Sequence, residues 1–382
     1  PGTLSDVEAK SSEVIRAYED IGMRVSYCYA VRDQNRLVYQ ADQEFVASLP
    51  AELQEPMRRW FDRFQTGLDE SLALFRQLHE RHNNQSRVKI QLAPANLHWC
   101  SDEALTALSE TSKAYDVPMH MHLLETAYQK AYAWKRGGCT AVEYIDKFDM
   151  LGPRMTLGHG VWLSEKDVDR LAETGTCVCH NCSSNFRLRS GVAALNHFES
   201  KGINTAIGLD EAGINDDRDM LQEMRMVLNA HRVPGMDNAE VPTMAQVLRL
   251  ATTGGAKTTP YGSTIGSLEV GKAADLVMID WDQIAFPYLD EETPLLDAVI
   301  QRAKSKGVTR VMCDGDVIYE DGVFKRVDQA QALKALHDDL SKALSDDEVE
   351  RRKLSMALLP HVRNFYADYI DPSIHEPFYR PS

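Results

Sequence analysis

Six short β-rich runs, each followed by a loop and an amphipathic helical stretch, recur between Arg24 and Asp210 and constrain the fold. The runs are RVSYCYAV (24–31), RVKIQLAP (87–94), VPMHMHLL (117–124), RMTLGHGV (154–161), GTCVCHNC (175–182) and INTAIGLD (203–210). Strands that alternate with helices predict a parallel sheet with right-handed crossovers, closed as a barrel or open and doubly wound. No G-x-G-x-x-G opens a helix after any of these runs, which weakens a dinucleotide-binding interpretation.

The polar residues of these runs favour the barrel. Side chains alternate between the two faces of a strand, so His120 and His122 share one face. Four runs carry an ionisable residue at or near the carboxyl end: His122, His159, His180 and Asp210. Active sites of β/α-barrels are built at that end of the strands. We therefore predict that His122, His159 and Asp210 converge at the mouth of a parallel barrel.

Helix boundaries between the strands are marked by capping residues. Ser101 is a predicted N-cap, because acidic residues follow it in the first turn. A second helix is predicted to start at Ser164 and to stop at Gly175.

Composition excludes several classes of partner. The chain has 42 basic and 57 acidic residues, a net charge of −15, and no basic run that would follow a phosphate backbone. Nucleic acid is therefore not expected as a partner. No apolar stretch approaches the roughly 20 residues of a membrane span, and no signal-peptide pattern opens the chain. Seven cysteines in 382 residues indicate reduced thiols in a cytoplasmic protein rather than a disulfide framework.

The chain divides into three predicted parts. Residues 1–262 hold the barrel, and residues 263–327 carry short β-rich runs with Asp-Gly turns at 314–315 and 321–322, which indicate a small β domain. Residues 328–382 are strongly helical up to a predicted break at Asp371-Pro372. This C-terminal extension is expected to cap the barrel or to form a contact in a homo-oligomer.

The segment MHMHLLET (119–126) carries the clearest chemistry. His122-x-x-Glu125 supplies an imidazole for a divalent metal and a carboxylate close to it. A metal lowers the pKa of its water toward neutrality, and a nearby carboxylate can pass the proton to a departing nitrogen. Asp210 is a further ligand or a base, and His159 is placed to polarise the substrate. The spacing alone is weak evidence, because a short H-x-H-x-x-E occurs by chance.

Four segments in order make the assignment specific: MHMHLLET, LGHGVWLSEKDVDRLAETG, CHNCSSNFRLRSG and IGLDEAGINDDRDMLQEMR. Together they resemble the amidohydrolase superfamily, in the branch that contains guanine and cytosine deaminases and triazine hydrolases. The later IGSLEVGKAADLVMIDWD resembles that family's C-terminal β-sandwich. The resemblance implies a TIM barrel in which His122 and Asp210 bind the metal, Glu125 shuttles protons and His159 assists at the substrate. It implies that His120 lies behind the metal ligands and supports them, or has a structural role.

Three departures from the family pattern stand out. The family's metal site begins with a His-x-His pair on the first barrel strand, which nothing before Arg24 supplies, and six barrel strands are counted rather than eight. We therefore expect the chain to lack roughly a hundred N-terminal residues of such a protein. Ala95 stands where some adenosine-type deaminases carry a histidine, and Glu211 follows the metal aspartate where a small residue or Asn is more usual.

Further residues are predicted to contact the substrate: His98, Trp99, Asn181 and Glu211. The acidic residues after Glu211 (Asp216, Asp217 and Asp219) are expected instead to cap the next helix. Cys179 and Cys182 lack the partners of a zinc site and are interpreted as small buried hydrophobes, with Cys177 and Cys179 facing the helical layer.

The predicted function is hydrolytic deamination of an amino-substituted heterocycle with one divalent metal, zinc before iron. Hydrolysis of a chloro, N-alkylamino or cyclic amide group by the same site is the alternative within enzymes. A catalytically inactive structural homologue is the alternative outside them.

Overall fold

The computed structural model describes residues 4–62, 67–211, 213–214, 217–237 and 241–371. Asp216 and Pro372, which belong to the predicted helix cap and to the predicted C-terminal break, lie outside the described residues. Among the helices of the described part, none is both long and apolar enough to cross a bilayer.

Parallel strands form at all six predicted positions. They are β1 (Val25–Tyr27) with β2 (Ala30–Val31), β3 (Val88–Ile90) with β4 (Ala93–Pro94), β5 (Met119–Leu123), β6 (Met155–His159), β7 (Cys177–His180) and β8 (Thr205–Ile207). β1 pairs with β3, and β2 pairs with β4. Isolated bridges at Leu92–Met119 and Asn96–His122 connect this part to β5. Strands β5, β6, β7 and β8 then pair in sequence order. The strands form the wall of a (β/α)-barrel, as predicted.

One helix precedes β1, and the others lie between the strands or after β8. They are α1 (Leu4–Ile21), α2 (Asp42–Ser48), α3 (Ala51–Asp62), α4 (Leu68–His82), α5 (Asp102–Tyr115), α6 (Ala127–Gly137), α7 (Ala141–Asp146), α8 (Glu165–Thr174), α9 (Cys182–Arg187), α10 (Leu195–Ser200), α11 (Met220–Ala230), α12 (Met244–Arg249) and α13 (Gly255–Lys257). A π-helical segment, Leu250–Gly254, joins the last two. The largest apolar cluster lies between the strands and these helices, with Leu157, Val168 and Val178 fully buried.

The predicted caps are confirmed. Ser101 Oγ accepts a hydrogen bond from the N–H of Ala104 at the start of α5, and Ser164 forms a reciprocal capping box with Asp167 at the start of α8. Gly175 ends α8 with a φ of 73°, in the left-handed region that glycine adopts without a steric penalty.

A small antiparallel sheet follows the barrel, in the order β12-β11-β10-β9. Its strands are β9 (Leu276–Ile279), β10 (Val308–Cys313), β11 (Asp316–Glu320) and β12 (Val323–Phe324), and helices α14 (Trp281–Ala285) and α15 (Leu295–Arg302) lie between the first two. Both Asp-Gly pairs form two-residue hairpin turns with positive φ, 54° and 83° at Asp314-Gly315 and 48° and 86° at Asp321-Gly322. The hairpins are where the sequence predicts them.

The C-terminal extension consists of α16 (Gln329–Leu340) and α17 (Asp346–Tyr366). α17 packs Leu358 against buried side chains of α2 and α3, including Phe45 and Met57. Because α2 and α3 lie in the connection after β2, α17 is held at the carboxyl-end side of the first strand. The division of the chain at residues 262 and 327 remains a prediction.

One predicted strand orientation is wrong. Cys179 faces the barrel interior rather than the helices. Its Sγ lies against Gly208, the residue after β8, so closely that a Cβ on Gly208 would be 2.8 Å from it. Val178 is the residue that packs on the helical side, in the main apolar cluster. The period of two shows which residues share a face. Both faces of a parallel barrel strand are buried, so hydrophobicity does not mark the inner one.

Candidate active site

His122, His159 and Asp210 converge, and one ligand atom from each lies within 4.8 Å of the others. His122 and His159 lie at the ends of β5 and β6, and Asp210 lies in the loop directly after β8. Pairing in register places Leu123 beside His159 and therefore brings the two strand ends level. The convergence at the mouth of the parallel strands is as predicted.

His122 is oriented by a backbone carbonyl. Its Nδ1 lies 2.9 Å from Ala95 O, so Nδ1 carries the proton and Nε2 is left with a free lone pair. Burial and the neighbouring His159 lower the pKa of His122, against the opposing effects of Ala95 O, Asp210 and Glu125. A neutral imidazole with a free Nε2 is the form that binds a divalent metal.

His159 is buried and held by a side-chain amide. Its Nδ1 lies 2.9 Å from Asn185 Oδ1, and its Nε2 lies 3.7 Å from Asp210 Oδ2 and 3.9 Å from Glu125 Oε2. The ring stacks on His122 with centroids 5.6 Å apart. His159 thus presents Nε2 to the space between the two carboxylates.

Two of these residues have strained backbones. His159 has a φ of 76° and Asp210 a φ of 62°, in the left-handed region that costs a non-glycine residue of order 1–3 kcal/mol. Ser184 Oγ donates a 2.5 Å hydrogen bond to Asp210 Oδ2 and fixes the carboxylate. Strain that persists under such restraint is typical of a functional site.

Glu125 follows β5 and is fixed by two side chains. Ser190 Oγ donates to Glu125 Oε1 over 3.2 Å. Gln129 Oε1 accepts from the N–H of Glu125 over 2.8 Å, while its Nε2 lies 3.5 Å from Glu125 Oε2. The carboxylate is therefore positioned beside His159 Nε2, the place that a proton-shuttling group needs.

His120 lies deeper on the same face of β5 than His122. Gly158 makes room for it, since a Cβ on Gly158 would lie 3.1 Å from His120 Nε2. Burial and the neighbouring histidines lower the pKa of His120 to about 4, so the ring is neutral. Its position below the cluster fits the structural role implied for it.

His98 and Trp99 lie in a turn of 3₁₀ helix after β4. The His98 ring is buried and stacks on Tyr39 with centroids 4.0 Å apart. Within the described chain neither ring nitrogen of His98 has a hydrogen-bond partner, and burial with nearby positive charge lowers its pKa to about 3. Trp99 carries the Arg32 guanidinium 3.9 Å above its ring.

Asn181 and Glu211 differ in their relation to the cluster. Asn181 is buried, and its Nδ2 lies 3.5 Å from His159 Nε2, so it borders the site. Glu211 is exposed, and its Oε1 accepts a 2.9 Å hydrogen bond from the N–H of Gly213 in its own loop.

His180 ends β7 but does not join His122, His159 and Asp210 at the mouth of the barrel. It shares the outward face of β7 with Val178, and its Nε2 lies 2.8 Å from Nε2 of His231. Cys182 is close to both rings. The Nε2 separation is that of a direct hydrogen bond between two neutral imidazoles, and burial lowers the pKa of both. The thiol of Cys182 is buried in an apolar cluster, as expected for a small hydrophobe.

Four supporting residues escaped the sequence analysis: Gln129, Ser184, Asn185 and Ser190. Three of them lie in the run SSNFRLRS after β7, which is rich in polar residues. Polar side chains that are buried in such a run need hydrogen-bond partners. Ser184 and Asn185 are nonetheless fully buried. Gln129 follows Glu125 by one helical turn, a spacing that brings two side chains together.

The donor set fits a divalent metal such as zinc. His122 offers a free Nε2, and Asp210 offers a carboxylate whose other contact is a hydroxyl donor. Imidazole and carboxylate are both common zinc ligands. His122, His159 and Asp210, with Glu125 beside them at the mouth of a parallel barrel, form a group that could hold a metal ion where β/α-barrels place their active sites.

The chain belongs to the Amidohydrolase family, which residues 2–318 match. It is 34% identical over 290 residues to 8-oxoguanine deaminase from Pseudomonas aeruginosa, covering 76% of this chain and 62% of that protein. It is 30% identical over 267 residues to 5'-deoxyadenosine deaminase from Methanothermobacter thermautotrophicus, covering 70% of this chain and 61% of that protein. The chain thus spans about three fifths of the length of these relatives.

The fold is shared with solved structures. Atrazine chlorohydrolase from Arthrobacter aurescens, complexed with zinc, superimposes with a TM-score of 0.73 at 20% identity. The match covers 85% of this chain and 67% of that one. This chain therefore shares the fold of that protein.

Proposed function

We propose that this chain carries the site of a metal-dependent hydrolytic deaminase that releases ammonia from an amino-substituted heterocycle. The observation that carries the proposal is the convergence of His122, His159 and Asp210 with Glu125 beside them. The curated relatives are deaminases of nitrogen heterocycles, which supports the reaction type.

His122 Nε2 and the Asp210 carboxylate would hold the ion, and zinc is proposed because it is the ion bound in the solved chlorohydrolase. When bound, zinc supplies Lewis acidity, which makes a water nucleophilic near neutral pH. Asp210 and Glu125 manage the protons, and Glu125 passes one to the departing nitrogen, which leaves as ammonia. His159 Nε2 points into the same space and stabilises the charge that develops on the ring.

The proposed substrate is a small heterocycle bordered by Asn181, His98, Trp99 and Glu211. Asn181 has the clearest support, because its amide lies beside His159. His98 lies beneath Tyr39 and shapes the wall rather than offering an exposed ring. A Glu211 carboxylate near the substrate would favour rings that present N–H donors.

Hydrolysis of a chloro substituent is the second candidate. The specific observation in its favour is the shared fold with atrazine chlorohydrolase. The same site serves both reactions if the leaving group is chloride rather than ammonia.

We also propose a cytoplasmic location and a homo-oligomeric state. All seven cysteines are free thiols, which is typical of a reducing compartment. Exposed apolar side chains, including Phe286 and Leu295 of the small domain, are available for contact with a second copy.

The test is ammonia release by the zinc-loaded protein from a panel of heterocycles. The panel contains 8-oxoguanine, guanine, 5'-deoxyadenosine, S-adenosylhomocysteine and atrazine, with chloride release measured in parallel. Ammonia release from at least one member, abolished in Asp210→Ala, supports the proposal. Chloride release without ammonia release supports the second candidate. If neither ammonia nor chloride is released, both candidate functions are contradicted.

A further inference from the structure

Gln129, on the first turn of α6, holds Glu125 at two points. Its Oε1 accepts a hydrogen bond from the N–H of Glu125, and its Nε2 lies 3.5 Å from Glu125 Oε2. The two ends of an amide have opposite hydrogen-bonding character, so Gln129 serves both contacts in one orientation only. Gln129 is buried, and whatever fixes its amide also fixes Glu125.

Tyr39 lies against this amide. Its hydroxyl lies close enough to the side chains of Thr126 and Gln129, on the turn that carries Glu125, for both to lower the pKa of Tyr39 against the larger effect of burial. Burial raises the pKa of Tyr39 well above its ordinary value, so the hydroxyl keeps its proton. The ring is held from below by the stack on His98.

Helix α17 holds Tyr39 from the other side. The N–H of Tyr39 donates a 3.1 Å hydrogen bond to Tyr366 Oη, and the two rings meet edge to face with centroids 5.4 Å apart. Tyr369 packs on Tyr39 with centroids 5.9 Å apart. Lys135 Nζ donates to Tyr369 O over 2.9 Å and ties this end of the extension to α6. Backbone and ring of Tyr39 are therefore both fixed by the C-terminal extension.

A cleft of about 490 Å³ opens beside these contacts, lined by Tyr39, Thr126 and Tyr366 among others. Thr126 is the residue after Glu125, so the cleft lies next to the site. The C-terminal extension consequently reaches the turn that carries the acid–base group although it is distant in sequence.

We propose that Tyr39 is a positioning residue for Glu125 and that Tyr366 of α17 keeps Tyr39 in place. The proposal rests on the acid–base role proposed for Glu125. The contacts run from Tyr366 to Tyr39, from Tyr39 to Gln129 and from Gln129 to Glu125. Neither tyrosine needs to touch the substrate.

The kinetic test uses substitutions that remove one hydroxyl and keep the ring. Tyr39→Phe is expected to lower kcat about 10- to 100-fold, because a small displacement of a catalytic group has effects of this size. KM and zinc content are expected to stay near wild type, since neither metal ligand is touched. Tyr366→Phe acts in the same direction with a smaller loss. A Tyr39→Phe variant with wild-type kcat overturns the proposal.

The matched control is Tyr128→Phe. Tyr128 belongs to the same aromatic cluster, with its ring 5.1 Å from that of Tyr366, and its side chain is partly exposed. Its substitution is expected to leave kcat at the wild-type value. An equal loss in Tyr128→Phe would assign the effect to packing of the cluster and would overturn the specific role of Tyr39.

A second measurement needs neither substrate nor metal. Hydrogen–deuterium exchange at the N–H of Glu125 reports the bond to Gln129 directly. Tyr39→Phe and Tyr366→Phe are expected to accelerate this exchange about tenfold or more, and Tyr128→Phe to leave it unchanged. Unchanged exchange in Tyr39→Phe overturns the proposal. If the wild-type protein converts no member of the panel, the proposed function fails while the exchange measurement still decides on Tyr39.

Discussion

His159 Nδ1 lies 2.9 Å from Asn185 Oδ1, and both side chains are buried. The amide oxygen accepts, so the proton of the imidazole is held on Nδ1 and Nε2 is directed toward Glu125 and Asp210. Asn185 thereby sets the tautomer and the orientation of the His159 ring.

Asn185→Ala is expected to lower kcat about 10- to 100-fold, the usual effect of removing a partner that orients a functional histidine. Zinc content should not change, because His122 and Asp210 keep their contacts. Asn185→Asp keeps an acceptor for Nδ1–H and should retain more activity than the alanine variant. Steady-state kinetics and metal analysis check this, and wild-type kcat in Asn185→Ala would contradict it.

Glu125→Gln separates proton transfer from metal binding. The amide cannot accept and pass on a proton, so turnover should fall about 10²- to 10⁴-fold while zinc is retained. His122→Ala should lose the zinc, because it removes the free Nε2. Metal content is measured on both variants beside their turnover. Equal zinc loss in the two would show that Glu125 is a ligand or a structural group.

The order of strands and the residues at their ends were predictable from local pattern. The alternation of β-rich runs with capped helices predicted the parallel wall, and MHMHLLET indicated His122 and Glu125. The direction in which β7 presents its side chains was not predictable: His180 pairs with His231 on the outer face, and Cys179 faces the barrel interior. Contacts such as Tyr39 with Tyr366 join residues 327 positions apart, and no local pattern encodes them.

Gly254 is predicted to be intolerant of any side chain. A Cβ there would lie 2.4 Å from the backbone oxygen of Thr205 in β8, a contact that neither backbone can relieve cheaply. Gly254→Ala should therefore lower the free energy of unfolding by about 1–3 kcal/mol. The adjacent Gly255 is the control, because a Cβ there has its nearest neighbour at 3.7 Å. Gly255→Ala should be neutral or stabilising by up to about 1 kcal/mol. Denaturant unfolding compares the two, and equal losses would contradict the close approach.

Glu211→Gln tests whether the exposed carboxylate after Asp210 contributes to substrate binding. A neutral amide keeps the shape and the acceptor for Gly213 N–H but loses the charge that would attract N–H donors of the ring. KM should rise several-fold, with kcat and zinc content little changed. The measurement is the ratio of KM values on the best substrate of the panel. A wild-type KM would limit Glu211 to ordering its own loop.

Arg24 and Asp275 join the start of β1 to the small sheet, and their pairing predicts how stability depends on pH. Arg24 Nε and Nη2 donate to the two oxygens of Asp275 over 2.7 and 2.8 Å, and the side chains are 9% and 23% exposed. Burial by itself would raise the pKa of Asp275, but the hydrogen bonds from Arg24 and from the N–H of Asp314 outweigh it and lower that pKa below 3.8.

Because the folded pKa of Asp275 is depressed, its contribution to stability is fully present above the unfolded value, about 3.9. It is lost as the pH falls through the lower folded pKa. Asp275→Asn should therefore lower the free energy of unfolding by about 2 kcal/mol at pH 7. The difference from wild type should shrink below about pH 4.

Asp149→Asn is the control, since Asp149 pairs with Lys113 at the surface and is 85% exposed. This substitution should cause no measurable loss of stability. Denaturant unfolding between pH 3 and 7 decides, and a difference that stays constant over that range would show that the Arg24–Asp275 pair does not stabilise the fold through its charge.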